Sequence, residues 1–169
     1  MMKSFVRNTL LATAFAIALP AQAAVQSYAF DGVTDSGAFL NQIFSGSLSF
    51  DDSGLTGVGE EWIALGSIAL DFLGQHHTLG SAAAAPEAAF FDGRFLGVSF
   101  TVNAGDPQFS LIAGYRSIGE AFFAYDTVAG KSGAGSVAYT AAVPEPESWM
   151  LMLAGLAGIA GIARRRFSC

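Results

Sequence analysis

Between residues 24 and 142 apolar and polar side chains alternate with the two-residue period of a β-strand. The clearest stretch is Ile43 to Phe50. There Phe44, Gly46, Leu48 and Phe50 fall on one face, and Ser45, Ser47 and Ser49 on the other. Ser27 to Phe30, Phe90-Phe91, Phe95 to Val102, Phe109 to Ala113, Ala121 to Tyr125 and Ser136 to Thr140 predict further strands. Ile63 to Leu73 is more continuously apolar and reads as one long strand or two, punctuated by Gly66 and Gly74, with His76 to Leu79 returning beside it as a hairpin partner. Asp51-Asp52-Ser53-Gly54, Asn103 to Pro107 and Lys131 to Gly135 carry turn chemistry. Ala82 to Ala85 is a patch of helix propensity, and Pro86 limits it. Many short strands with regular turns predict an all-β, antiparallel sandwich or jelly-roll-like body, with an up-and-down sheet as the other arrangement.

The two ends break this pattern. Lys3 and Arg7 precede an 11-residue apolar run, Thr9 to Leu19, which Pro20 terminates. Ala21-Gln22-Ala23 then offers small side chains at both positions a signal peptidase must accommodate. Residues 1–23 are therefore expected to be a helical secretory signal, with cleavage set by Ala21 and Ala23. At the other end, Pro144-Glu145-Pro146 holds the chain extended and accessible. Trp149 to Ala163 follows, 15 residues without a charge. As a helix it reaches about 22 Å, short for a bilayer of ~30 Å yet workable with thinning. Arg164, Arg165 and Arg166 resist translocation and fix that end in the cytoplasm. The expected organisation is a signal at 1–23, a β-rich extracytoplasmic domain at 24–142, and a tail at 143–169 with a short transmembrane helix.

This tail resembles the PEP-CTERM sorting signal: Val143-Pro144-Glu145-Pro146, an apolar segment with a central Gly155-Leu156, then the arginine cluster. The resemblance implies recognition by exosortase, a multi-pass membrane cysteine protease, in a Gram-negative bacterium that makes exopolysaccharide. It makes Pro144, Glu145 and Pro146 the sorting motif and Arg164 to Arg166 the stop-transfer element. Cleavage near the motif would release the body or transfer it to an acceptor. The expected route is through the inner membrane, with a transient anchor there, to the cell surface or beyond.

Charge and chemistry refine the picture of the body. Over 24–142 there are three basic and twelve acidic residues, a balance of −9. Such a surface repels phosphate backbones, which argues against a nucleic-acid partner. The single cysteine is Cys169, so the body holds no disulfide and no thiol nucleophile. Its core must be held by burial. His76 and His77 are neighbours in a strand, so their side chains point to opposite faces and do not chelate one ion together. Asp51, Asp52, Glu60 and Glu61 flank a glycine-containing loop and are the candidate ligands for calcium, although their spacing departs from the twelve-residue calcium loop. Trp62 and Tyr115 are the candidates for stacking on a sugar ring. No nucleophile elbow or catalytic constellation stands out. The reading is a non-catalytic, exported structural protein associated with exopolysaccharide, with no required cofactor. A carbohydrate-binding module and a secreted hydrolase are the alternatives.

Overall fold

The computed structural model describes residues 25–142 and 155–156. Nine strands follow one another: β1 (Val25–Thr34), β2 (Ile43–Asp51), β3 (Glu60–Phe72), β4 (Gln75–Thr78), β5 (Glu87–Phe91), β6 (Arg94–Val102), β7 (Gln108–Ile112), β8 (Phe122–Asp126) and β9 (Ser132–Ala141). All pairings are antiparallel, in the order β2-β1-β9-β8-β7-β6-β5-β3-β4. A further ladder joins β2 to β3.

That last ladder corrects the sandwich or jelly-roll expectation. Eight strands close into a barrel, and β4 is an added hairpin arm on β3. The length of β3 makes this possible. Its first residues, Glu60 to Ala64, pair with β5, and Ala69 to Phe72 pair with β4 on the same edge. Its other edge, Leu65 to Phe72, pairs with β2. Gly66 is the unpaired extra residue of a bulge, where Ser49 faces Ser67 but Phe50 faces Leu65. The bulge shifts the alternation, so Leu65 and then Ile68, Leu70 and Phe72 all turn inward. Two tight hairpins, Leu73-Gly74 and Asp92-Gly93, have positive φ at both central residues, the geometry of a twisted two-residue turn.

An eight-stranded barrel leaves an interior that side chains can just fill. Here aromatic rings fill it. Phe30, Phe44, Phe50, Phe100 and Phe123 are almost wholly buried, joined by Phe72, Phe90, Phe109 and Tyr125. Phe123 stacks on Phe44 at 4.3 Å and meets Phe72 edge-on at 4.9 Å. Glycines opposite the rings supply the room. Phe30 faces Gly46 and Phe44 faces Gly32 across β1–β2, and Tyr125 faces Gly133 across β8–β9. A Cβ at any of these glycines would run into the facing ring. This explains why β9 starts at Ser132, where the sequence suggested a turn through Gly135. Gly133 and Gly135 are paired strand residues: Gly133 makes space for the Tyr125 ring, and Gly135 for the β1 backbone at Val33 and Thr34. The outward positions 45, 47 and 49 of β2 are serines, between Ile43 and Asp51 at its ends.

The other expected strands are present with small shifts of boundary. Residues 82–85 form no helix; a 3₁₀ turn, Leu79–Ser81, precedes them. Among the described residues no helix is long and apolar enough to cross a membrane. The expected signal helix, and all of the tail except Gly155 and Leu156, which are helical, lie outside the described residues. So do Ala21, Ala23, Pro144, Glu145, Pro146 and Arg164 to Arg166.

Candidate functional site

Antiparallel order fixes which loops share an end of the barrel. Val25 enters β1 and Ala141 leaves β9 at one end. The same end carries loop 52–59, the Asp92-Gly93 turn and loop 113–121. The exit is held tightly: Ala141 is paired with Tyr28, and the Ala142 N–H donates to the Ser27 carbonyl at 2.8 Å. The last described residue of the body is therefore still part of the ladder.

The four acidic candidates for calcium are not gathered into one site. Asp51 accepts from the Ser53 N–H at 2.9 Å and starts the 3₁₀ turn Asp52–Gly54. Asp52 accepts from Gln26 Nε2 at 2.9 Å, tying the loop to β1. Glu60 and Glu61 are strand neighbours and point to opposite faces. Glu61 accepts from the Thr56 N–H at 2.7 Å, the Thr56 hydroxyl at 2.8 Å and the Gly57 N–H at 2.8 Å. Those bonds, the Thr56 N–H foremost, lower its pKa. Each carboxylate thus serves a different local bond. Among the described residues no three His, Cys, Asp or Glu groups are placed to hold a metal ion together. His76 is exposed and bonded to Asp71 at 2.8 Å. His77 is half-buried edge-on to Phe109, and burial first, then His76, lowers its pKa.

The two aromatic candidates are brought together. Trp62 faces outward on β3, and Tyr115 sits in loop 113–121, yet both line one cleft of about 190 Å³ with Glu60, Ala89, Leu96 and Gly114. The β3–β5 ladder sets one wall by pairing Trp62 with Ala89. The β5–β6 bulge and the Gly114 N–H bond to the Leu96 carbonyl set the other. Glu60 Oε1 accepts from the Trp62 indole N–H at 2.9 Å and fixes that ring. The Arg116 guanidinium lies over Phe91 at 4.7 Å and over Tyr115 at 5.3 Å.

Glu120 organises the loop. Its Oε2 accepts from the backbone N–H groups of Tyr115, Arg116 and Ser117 at 3.0, 2.8 and 3.3 Å. These bonds, Arg116 first, lower its pKa. Ser117 completes a capping box around the 3₁₀ turn Ile118–Glu120. The sequence reading passed over Glu120 and Arg116. The Ser-x-x-Glu spacing of Ser117 and Glu120 was the available signal.

The molecule is thus a closed antiparallel barrel with an aromatic surface cleft and a tail that starts where its last strand stops. Residues 142–166 match the PEP-CTERM protein-sorting motif. The chain carries that sorting motif, which implies processing by exosortase, and with it export and a transient membrane anchor before surface release. No curated protein and no solved structure matches the chain.

Proposed function

We propose that the chain is a non-catalytic, exosortase-processed protein of the cell surface or extracellular matrix, associated there with exopolysaccharide. One observation supports this above others. The sorting motif begins at Ala142, the residue whose N–H makes the last bond of the barrel. A cut beyond that point removes the tail and leaves a complete barrel with its interior filled. Signal peptidase acting after Ala23 would likewise leave β1 whole, since its ladder starts at Val25. The test is the mature C-terminus. Mass spectrometry of surface or secreted material is expected to find chains that end before Arg164. Replacing Glu145, or deleting Arg164 to Arg166, is expected to leave full-length protein in the membrane fraction. Secreted chains that retain Phe167-Ser168-Cys169 would overturn the proposal.

A further inference from the structure

We infer that the Trp62–Tyr115 cleft binds one pyranose ring of a neutral polysaccharide. Trp62 is 46 % exposed and Tyr115 75 %, and no other aromatic ring of the described chain stacks on either. Apart from Arg116 over Tyr115 and the Glu60 bond to the indole, the two rings leave apolar surface to solvent at one hollow. A pyranose presents a face of C–H groups that such rings cover by dispersion and apolar burial. At about 190 Å³ the hollow is smaller than the ~300–1,000 Å³ of a drug-sized ligand site, and suits a single ring.

One polar side chain lines the cleft, Glu60, and a second, Arg116, lies against the Tyr115 ring beside it. Glu60 spends Oε1 on the Trp62 indole, which leaves Oε2 to accept from sugar hydroxyls. Arg116 forms no salt bridge among the described residues. Its guanidinium is fixed by Phe91 and Tyr115, with its edge left to donate. Both walls are set before any ligand arrives. Glu60 orients the indole, and Glu120 holds the backbone of Tyr115 and Arg116. Binding therefore loses little conformational freedom. The charge balance selects a neutral polymer, because a carboxylate lines the cleft and the body as a whole is acidic. Two other hollows among the described residues lack this chemistry. One, of about 260 Å³ between Gln108, Asp126 and Ser132, lies toward the opposite end. The other, of about 410 Å³, runs along β1 and β9. Neither has an exposed aromatic ring.

The inference does not depend on the sorting reading, since the cleft belongs to the barrel alone. It is tested by isothermal titration of the secreted protein with cellohexaose, laminarihexaose and mannohexaose. At least one is expected to bind, with little change as salt rises from about 50 to 500 mM. Trp62→Ala and Tyr115→Ala are each expected to weaken binding by about tenfold or more, while Tyr115→Phe retains most of it. Tyr115 lies in a surface loop, so its replacement leaves the barrel folded, and an unchanged melting temperature checks this. Failure of all three oligosaccharides to bind would overturn the inference. So would binding that survives Tyr115→Ala, or binding that collapses in salt.

Discussion

Gly46→Ala is the smallest change that tests the barrel's packing logic. The new methyl group would point inward, on the face shared by Phe44 and Leu48. There it meets the Phe30 ring on one side and the Ala69 carbonyl oxygen on the other. Neither can yield easily. Phe30 is 2 % exposed and packed in the core, and Ala69 is part of the β2–β3 ladder that closes the barrel. Turning the ring off its rotamer costs about 0.5–1.5 kcal/mol. The Ala69 carbonyl must also move by about 1 Å, a backbone displacement that brings the total to at least about 3 kcal/mol, the top of the range for overpacking. For a domain of this size that lowers the melting temperature by roughly 10 °C. Thermal unfolding of the secreted protein, followed by near-ultraviolet circular dichroism, measures it. Phe30→Leu in the same chain removes part of the collision. The double variant should therefore be less destabilised than the sum of the single ones, by about 1 kcal/mol. A melting temperature within about 2 °C of wild type for Gly46→Ala, or strictly additive effects, would refute the idea that glycine is there to seat the ring.

Two further predictions concern the charged loops and the junction with the tail. Glu120 and Glu61 have folded-state pKa values below their ordinary 4.5, so the stability they add is full above that value and fades as pH falls through the lowered ones; Glu61→Gln/Glu120→Gln should flatten the acid side of a plot of melting temperature against pH, and an acid limb identical to wild type would show that these bonds add nothing. Deleting Ala141 and Ala142 would draw Val143 and Pro144 into the bonds now made to Tyr28 and Ser27, so tail processing, followed by immunoblot in the native host, should slow at least about tenfold, whereas inserting Gly-Ser after Ala142 should leave it unchanged; equal processing of both would show that the ladder sets no limit.

The strands were legible because their alternation is local. Phe44 to Phe50 announces its buried face without reference to any partner, and the structure keeps that face. Closure was not legible, because it depends on β3 being bonded along both edges, and a run of apolar residues says nothing about how many neighbours it has. Gly133 misled for a related reason. Glycine in a sequence signals a turn, but opposite an aromatic residue it signals space, and the opposition of Gly133 to Tyr125 exists only once β8 and β9 are paired. The acidic pairs were read as flanking a loop because the apolar run starts at Ile63, whereas β3 begins at Glu60 and sends Glu60 and Glu61 to opposite faces. Trp62 and Tyr115 were each suspect as single residues, while their meeting required the β3–β5 ladder and the loop that Glu120 ties.

The placement of the chain ends suits the processing proposed above. Under that proposal a domain without a disulfide would have to withstand export through burial alone. Loose strand edges are where exported chains aggregate, and closing the sheet removes all of them but the short β4 arm and what lies beside it. Closure requires β1 to pair with both β2 and β9, so the first and last strands are neighbours and both termini leave from the same end. Removal of a leader before Val25 and of a tail after Ala142 then costs the barrel no ladder bond. Had either terminus been an interior strand completed by its own processing segment, cutting would have opened the wall onto the phenylalanine core. The sorting motif begins on Ala142, the residue that makes the wall's last bond, so a cut at any later peptide bond leaves the wall intact.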